Sequence, residues 1–336
     1  MKELLYLELP GTDAAWNLAA EEFLFGRLPK GRTLFMLWQN RSAVIIGKYQ
    51  NALAEIDLPY VEQNGIQVVR RLSGGGAVYH DLGNLNYTYI TDAEDTTRLD
   101  LQLFCQPVLR TLRAMGVPAE LNGRNDMSIQ GRKFSGNAQY MRHGRVMHHG
   151  TLLFDSDLSV VGRALRVDPE KIRAKGVKSV RSRVTNIRPW LGEDLSLEQF
   201  RRRLLENILR ETPGEPWTLG PEELDAVERL RQERYGTWEW NFGSSRECSI
   251  LRRRRFEGCG TVEAQIEADR GRIAELRFSG DFFSLEEPEL LARRLIGRRL
   301  ERTDLLEALA GTEVSRSFLG LDAERLTELL CGDGTP

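Results

Sequence analysis

The sequence predicts an α+β protein with two domains: a large mixed-sheet domain over residues 1–245 and a small strand-and-helix domain over residues 246–336. A chain of 336 residues is longer than one hydrophobic core usually serves, so two domains are expected. Helical and strand patterns are interspersed through the first part, and a separate strand hairpin follows the aromatic run at 238–240. A segment rich in proline and glycine at 211–222 is the rival boundary.

Periodicity places the elements of the large domain. Apolar residues recur at helical spacing over residues 13–27, where Asp13 is placed as the N-cap. Strand-like runs are predicted at 33–38, 43–47, 66–72, 86–91 and 146–154. Further helices are predicted at 99–115, after the capping box of Ser196 and Gln199, and from Pro221 to about residue 235. The stretch at 212–220 is predicted to be a connection.

The small domain is predicted from one hairpin and two helices. Apolar residues alternate at 262–268 and 274–278, on either side of a turn at Arg270-Gly271. Helical stretches at 288–299 and 303–310 complete the chain. We therefore expect a second α+β unit.

Composition disfavours several classes of protein. The formal net charge of −2 gives no strong electrostatic preference for nucleic acid or acidic membranes. The four cysteines are far apart and form no CxxC pair, which argues against a zinc site or a disulfide framework and fits a reducing cytosol. No segment approaches about 18 uninterrupted apolar residues, and residues 1–10 have no signal-peptide pattern, so we expect neither export nor membrane insertion.

Residues 70–81, RRLSGGGAVYHD, form a candidate anion site. Three glycines let the backbone approach a ligand closely and offer amide N–H groups, and Arg70 and Arg71 add charge-assisted donors. The segment is neither a GxxxxGK[ST] loop nor a GxGxxG fingerprint. From composition alone, a flexible turn between two strands is the favoured interpretation.

A second candidate site lies around Lys133. Gly131-Arg132 is predicted to turn a hairpin, and a lysine between glycines on that hairpin can hold a compact positive charge near an anion. Asn125 and Asp126 offer oxygen ligands for Mg²⁺ or hydrogen-bonding groups for a base. For a single lysine, an exposed surface position is the more common outcome.

Two further segments carry weaker signals. His148 and His149 are adjacent on a predicted strand, so their side chains point to opposite faces and do not readily share one metal. A structural pair, with one buried and one exposed ring, is about as well supported as a functional role. Residues 175–186, KGVKSVRSRVTN, predict either a mobile loop that closes on an anionic intermediate or a solvated basic loop.

Taken in this order and spacing, the segments resemble the bacterial lipoate–protein ligase A family, within the biotin and lipoate ligase and transferase fold group. The resemblance begins near Trp16 and runs through RRLSGGGAVYHD, GRND, GRKFSGNA, HHGTLLFDSDLS, KGVKSVRSRVTN and WEWNFG. It covers essentially the whole chain. It implies a large mixed-sheet catalytic domain that binds lipoate and ATP, with a small C-terminal α+β accessory domain.

The resemblance implies an enzyme that activates free lipoate with ATP to lipoyl-AMP and releases pyrophosphate. The lipoyl group would then pass to a lysine of a lipoyl-carrier domain, in the E2 subunits of 2-oxoacid dehydrogenases or in the glycine cleavage H protein. Mg²⁺ is expected because the pyrophosphate leaving group carries charge that a hard cation neutralises. We further expect a cytoplasmic monomer with no nucleic-acid or membrane partner.

Residue by residue, the match implies a role for several side chains. Lys133 is the implied catalytic cation, which stabilises charge on the α-phosphate, and Asp126 is the implied metal ligand. The implied ATP contacts are Arg71, Gly76, Ala77, Val78, Tyr79, Asn125, Asp126 and Lys133. The implied lipoate contacts are Arg70, Ser73, Gly75, Lys133 and His149. The loop implied to cover the adenylate contains Val180, Arg181, Ser182 and Arg183.

The nearest rival is an octanoyl or lipoyl transferase of the same fold group, which would use a cysteine nucleophile and no ATP. None of the four cysteines lies in the motif segments, which favours adenylation. Biotin ligase fits less well, because RRLSGGG and GRKFSG follow the lipoate pattern. A nucleic-acid or protein-binding module that uses the basic run at 252–255 is disfavoured by the near-neutral charge and the lack of interleaved aromatic residues.

Overall fold

The computed structural model describes residues 3–93, 100–123, 125–165, 184–243, 250–269 and 271–332. The loop predicted to cover the adenylate, with Val180, Arg181, Ser182 and Arg183, lies outside the described residues.

Strands and helices are interspersed along the described residues. The strands are β1 (Glu3–Glu8), β2 (Arg32–Trp38), β3 (Ala43–Ile46), β4 (Gln67–Arg70), β5 (Val78–His80), β6 (Asn84–Asp92), β7 (Ala119–Asn122), β8 (Asp126–Ile129), β9 (Arg132–Arg142), β10 (Arg145–Leu153), β11 (Gly214–Pro216), β12 (Ile250–Phe256), β13 (Gly260–Asp269) and β14 (Arg272–Gly280). The helices are α1 (Ala14–Arg27), α2 (Ala52–Glu55), α3 (Leu58–Gln63), α4 (Leu101–Ala114), α5 (Leu158–Ala164), α6 (Leu197–Glu211), α7 (Pro221–Leu230), α8 (Trp238–Phe242), α9 (Pro288–Leu295), α10 (Arg302–Leu309), α11 (Val314–Ser317) and α12 (Ala323–Cys331). A 3₁₀ turn at Arg188–Trp190 and a π-helical segment at Arg231–Tyr235 complete the set for this part of the chain.

Within the described residues, eight strands form one mixed sheet in the order β11-β1-β2-β6-β10-β9-β8-β7. Strand β1 runs parallel to both β11 and β2, whereas β10 pairs antiparallel with β6 and β9. A smaller sheet, β4-β3-β5, carries the glycine-rich loop between β4 and β5. The predicted mixed sheet is confirmed, and the glycine-rich loop lies on a small sheet of its own.

Strand β2 shows that the large sheet is buried on both faces. Phe35 and Leu37 belong to the core that includes residues of α4 and α6. Leu34, Met36 and Trp38 belong to the core that includes residues of α1 and α7. A strand that is buried on both faces has a continuous apolar run rather than alternation, which explains the sequence TLFMLW.

Several strands were not predicted from the sequence. The segment at 212–220 was predicted to be a connection, and this is wrong for β11, which pairs with β1. Pro216 has no N–H to donate, but β11 is the outermost strand of the sheet, where a missing donor is tolerated. Strands β1, β7 and β12 were also missed.

The C-terminal elements form a core of their own. Strands β12, β13 and β14 make an antiparallel sheet that packs with residues of α9, α10 and α12. The predicted hairpin is confirmed. The helix predicted at 288–299 ends at Leu295, since Gly297 takes a positive φ of 80°. Helices α11 and α12 follow the two that were expected to complete the chain.

The predicted boundary between residues 245 and 246 falls within 244–249, outside the described residues, and stays a prediction. Two contacts favour it over the rival boundary at 211–222. Strand β11 pairs with β1, and Val227 of α7 lies in the same core as α1. Residues on both sides of the rival boundary therefore pack on the large unit.

The small unit contacts the glycine-rich loop directly. The amide of Gly75 donates to the carbonyl of Phe282 (3.1 Å), and the amide of Gly280 donates to the carbonyl of Tyr49 (2.6 Å). The rings of Tyr49 and Phe282 stack with their centroids 4.9 Å apart. A Cβ at Gly74 would overlap the Phe282 carbonyl oxygen, so this contact requires a glycine.

We predict that Gly150→Ala in β10 destabilises the large unit. The new Cβ would overlap Asn137 Oδ1 and the ring of the fully buried Tyr87, and such overpacking costs about 1–3 kcal/mol. The measurement is the thermal unfolding midpoint. The control is Gly162→Ala in α5, where the added Cβ meets no atom within 4 Å and where alanine is the better helix former. Equal midpoints for the two variants would contradict the packing argument.

Candidate active site

A cavity of about 110 Å³ lies between the glycine-rich loop and the hairpin of β8 and β9. It brings together three of the segments predicted from the sequence. The predicted site residues that line it are Arg71, Gly75, Gly76, Ala77, Val78, Asn125, Lys133 and His149. Apolar side chains of Leu18, Trp38 and Ile45 line the cavity as well. A cavity with apolar walls and a few convergent polar groups is the usual form of a small-molecule site.

Arg71 holds the glycine-rich loop from the inside. Its guanidinium donates to the carbonyls of Gly74 (2.7 Å) and Gly76 (2.8 Å) and to Ser73 Oγ (3.0 Å). Burial lowers the Arg71 pKa to about 10, so the side chain stays protonated at neutral pH. Because a trans peptide directs its C=O and N–H oppositely, the amide of Ala77 points away from Arg71. The loop thus turns its oxygens toward a buried cation and this amide away from it.

Arg70 has a different position from its neighbour, and the structure does not bring it to the cavity wall. Its guanidinium donates to backbone carbonyls of two distant segments: Gly47, Lys48, Gln50, Trp240 and Asn241. The side-chain carbonyl of Asn241 also accepts from the Arg70 amide (2.8 Å). Arg70 therefore ties the aromatic segment at 238–241 to the base of the loop. The lipoate contact implied for Arg70 stays a prediction without support from this placement.

Lys133 lies at a register shift between β8 and β9. Ser128 pairs with Lys133, and Met127 pairs with Ser135, so Phe134 is an extra residue in β9. Such a bulge re-aims the neighbouring side chains. The Lys133 ammonium lies 2.7 Å from Asp126 Oδ1, and the lysine side chain keeps 36% exposure. Lys133 is therefore a cation on the cavity wall that is paired but still accessible.

Asn137 holds the turn that precedes β8, and sequence reasoning did not identify it. Its amide donates to the carbonyl of Asn125 (2.9 Å), and the Asn125 side chain donates back to the carbonyl of Asn137 (2.9 Å). The Tyr87 hydroxyl donates to Asn137 Oδ1 (2.5 Å). Asn137 thus connects the buried sheet to the side chain that faces the cavity at Asn125.

The two adjacent histidines lie in separate buried networks. His148 is 0% exposed and lies against Tyr87, while His149 is 8% exposed on the cavity side, so the structural alternative with one exposed ring is wrong. His149 Nε2 lies 2.6 Å from Ser73 Oγ, and its Nδ1 lies 3.0 Å from Glu21 Oε1. Glu21, a buried carboxylate on the inward face of α1, was missed. The feature of the sequence that could have indicated Glu21 is a charged residue at a position surrounded by apolar residues of the helix.

Three other predicted site residues do not line the cavity. Ser73 is buried beneath the loop between Arg71 and His149. Tyr79 packs in the core beside the small sheet, with its hydroxyl toward Ser42. Asp126 faces Lys133. Ser73 therefore lies behind side chains that line the cavity, and Asp126 lies beside one of them.

Two features are absent from the described residues. No group of three or more His, Cys, Asp and Glu side chains is placed to hold a metal ion within the described ranges. Across the same ranges, no helix is both long enough and apolar enough to cross a membrane.

Comparison with known proteins decides the family. Residues 13–209 match the lipoyl protein ligase A/B catalytic domain, and residues 245–330 match the C-terminus of bacterial lipoate protein ligases. The chain belongs to the lipoate–protein ligase family. It is 39% identical to lipoate–protein ligase 1 of Staphylococcus aureus over 95% of this chain and 97% of that protein.

Solved structures of the lipoate–protein ligase family share the fold. A bipartite lipoate protein ligase of Thermoplasma acidophilum, from a study that included its E2 lipoyl domain, is 32% identical with a TM-score of 0.64. That match covers 74% of this chain and all of that one (100%). A lipoate–protein ligase A bound with ATP is 31% identical with a TM-score of 0.61 and covers 72% of this chain and 98% of that one.

We predict that Gly136→Ala lowers lipoate-dependent pyrophosphate release without lowering stability. A Cβ at Gly136 would lie 2.8 Å from Lys133 Nζ, and the flexible lysine would move rather than the fold. Steady-state release and the unfolding midpoint are measured together. The matched control is Gly26→Ala, where the Cβ meets nothing within 4 Å. Unchanged release in Gly136→Ala would show that the ammonium position does not matter.

Proposed function

We propose that this lipoate–protein ligase forms lipoyl-AMP in the cavity between the glycine-rich loop and the hairpin, with Lys133 as the catalytic cation. The observation that supports this most is the placement of the Lys133 ammonium on the cavity wall, across from a loop whose carbonyls are held by Arg71. Substrate carboxylate and triphosphate are both anionic, so their approach requires a cation between the reacting oxygens.

In the first step, a lipoate carboxylate oxygen attacks the α-phosphorus of ATP. A new P–O bond forms, the bond to the bridging oxygen breaks, and pyrophosphate leaves with the bonding electron pair. Lys133 stabilises the negative charge that builds on the α-phosphate. Its pairing with Asp126 holds the ammonium at this place before the substrates bind.

The glycine-rich loop and the turn before β8 bind the nucleotide. Gly76, Ala77 and Val78 line the cavity through a loop segment whose Ala77 amide points away from Arg71, so this N–H is available to phosphate oxygens. Arg71 contributes a fixed positive charge behind the loop. Asn125 faces the same space from the opposite wall.

The residues present fit Mg²⁺ as a bound partner of ATP. Mg²⁺ in nucleotide sites is usually held by one or two carboxylates together with phosphate oxygens and water. Asp126, beside Lys133, would supply one carboxylate, and Asn125, on the cavity wall, would supply an amide oxygen. When bound, Mg²⁺ neutralises charge on the leaving pyrophosphate.

In the second step, a lysine amine of a carrier domain attacks the acyl carbonyl of lipoyl-AMP. The amide C–N bond forms, the bond between the acyl carbon and the phosphate oxygen breaks, AMP leaves, and the amine gives up a proton. The carriers proposed are lipoyl domains of 2-oxoacid dehydrogenase E2 subunits and the glycine cleavage H protein. The Thermoplasma relative, studied with its E2 lipoyl domain, supports the first. We propose a cytoplasmic monomer, which has access to ATP and to these carriers.

The transferase alternative requires a reactive thiolate near the acyl chain. Burial raises the pKa of Cys105 to about 11, and burial likewise raises the pKa of Cys331. Cys259 is buried in the small unit. Of the cysteines in the described part of the chain, none lines the cavity, so the transferase alternative is not favoured.

We predict that Lys133→Ala lowers the rate of lipoyl-adenylate formation by about 100- to 1000-fold, the range observed when one charge-stabilising donor is lost. Pyrophosphate release in the presence of free lipoate is the measurement. The control is Lys30→Ala, which removes an exposed lysine that does not line the cavity. Near-normal release in Lys133→Ala, with the fold intact, would remove Lys133 from the mechanism.

We predict that removal of Mg²⁺ with EDTA stops pyrophosphate release, and that added Mg²⁺ restores it. In Asp126→Asn, half-maximal release needs a higher Mg²⁺ concentration, because one carboxylate ligand is lost. A Mg²⁺ titration of both proteins at fixed ATP is the measurement. Activity that persists in EDTA would contradict the metal requirement, and identical titrations would contradict the role of Asp126.

A further inference from the structure

A hydrogen-bond donor without a partner lies in the wall of the cavity, on His80. His80 lines the cavity at the end of β5 and is 3% exposed. Its Nδ1 lies 3.1 Å from the Asn40 side-chain nitrogen. Its other ring nitrogen, Nε2, is buried and has no hydrogen-bond partner among the described residues. A buried polar group without a partner costs free energy, so a group of this kind in a ligand cavity points to a contact that the ligand supplies.

The tautomer of His80 follows from a chain of fixed hydrogen bonds. Asn17 Nδ2 lies 2.9 Å from the carbonyl of Gln39, which can only accept, so this atom is the nitrogen. The same Nδ2 donates to Asn40 Oδ1 (2.8 Å), which leaves the Asn40 nitrogen to donate to His80 Nδ1. Burial, reinforced by the positive charge of Arg71, lowers the His80 pKa to about 3, so the ring is neutral. The single ring proton therefore lies on Nε2.

A second unpaired donor in the same wall also points to a contact that the ligand supplies. Asn86 lines the cavity and is 1% exposed, and its side-chain nitrogen has no partner among the described residues. Asn86 pairs across the sheet with Trp38, whose ring meets that of His80 edge-on at 6.1 Å between centroids. The two polar groups thus flank one large aromatic side chain of the cavity.

The surroundings of His80 indicate the chemistry of the contact. Trp38, Leu18 and Ile45 make much of the cavity apolar, which suits an aliphatic chain. Next to the Trp38 ring, a charged or strongly hydrated group would lose its solvation, and the anionic groups of the substrates are proposed to bind at Lys133 instead. A divalent sulfur atom suits both the apolar wall and the unpaired donor, because it is largely apolar and still accepts a weak hydrogen bond.

We propose that His80 is a specificity-determining residue whose Nε2–H donates to a sulfur of the dithiolane ring, so that the enzyme selects lipoate over the sulfur-free octanoate. This inference rests on the proposed function, since it presupposes that the acyl chain binds in this cavity. With octanoate bound, methylene groups face the donor and leave it unpaired. A site that hydrogen-bonds one substrate rejects an analogue without the acceptor. A weak sulfur acceptor gives a discrimination of about tenfold, the equivalent of one modest net hydrogen bond.

The experiment compares kcat/KM for lipoate and octanoate, measured by pyrophosphate release with the full chain. The unmodified protein is expected to prefer lipoate by about tenfold or more. His80→Phe keeps a planar ring and removes the donor, so the lipoate-to-octanoate ratio is expected to fall by about tenfold. His80→Gln retains an N–H at similar reach and is expected to recover part of the ratio. Because the readout is a ratio within one variant, loss of folded protein does not change it.

Each other outcome has a definite meaning. Equal use of both acids by the unmodified protein, or an unchanged ratio in His80→Phe, overturns the inference and leaves the ligase function in place. A higher KM for ATP in His80→Phe, equal with both acids, places the donor at the nucleotide and also overturns the inference. If the unmodified protein releases no pyrophosphate with either acid, the proposed adenylation itself fails.

Discussion

The guanidinium of Arg71 inside the glycine-rich loop is the interaction on which the rest of the site depends. A loop with three consecutive glycines has little conformational preference of its own. Arg71 fixes it by donating to the carbonyls of Gly74 and Gly76 and to Ser73 Oγ. A Cβ at Gly47 would overlap the Gly75 carbonyl oxygen, so the neighbouring strand packs against the loop backbone. One buried cation thus holds two carbonyls of a loop that has little conformational preference of its own.

The glycine-rich loop, held by Arg71, also contacts the other parts of the molecule. Ser73, held by Arg71, lies against His149, which in turn lies against Glu21 on α1. On the other side, the Gly75 amide reaches the Phe282 carbonyl of the small unit. The loop is therefore the point at which the first helix, the large sheet and the C-terminal unit meet. Arg71 is buried and held by hydrogen bonds to the loop, whereas Lys133 is partly exposed and paired with Asp126. The proposed function assigns nucleotide binding to the loop that the buried Arg71 holds and charge stabilisation to the partly exposed Lys133.

The sequence predicted the parts of the fold that depend on local patterns. Helix α1 with its Asp13 cap, the capping box of α6 and the hairpin of β13 and β14 all follow from spacing along the chain. Strand β11 was missed because three residues that include a proline form a strand only when β1 offers a partner. Pairing between segments so far apart in the chain cannot be predicted from a short window of sequence.

The roles of single residues in the site were also hard to predict from the sequence, because they depend on distant partners. Arg70 and Arg71 are adjacent, and the sequence alone does not say which side chain reaches the cavity. Arg70 is the last residue of β4 and Arg71 follows it, and of the two only Arg71 lines the cavity. The roles of Glu21, Asn137 and His80 depend on partners far away in the chain. Lys133 and the glycine-rich loop were identified because the family motifs resemble known ligases across the whole chain, and the structure places them on one cavity.

The proposed ligase activity is tested most directly by the intact mass of an apo lipoyl domain incubated with this protein, free lipoate and ATP. The mass is expected to increase by one lipoyl group on a single lysine, in a reaction that depends on ATP and releases AMP. No mass increase under these conditions, or acyl transfer from an acyl-carrier thioester in the absence of ATP, would contradict it.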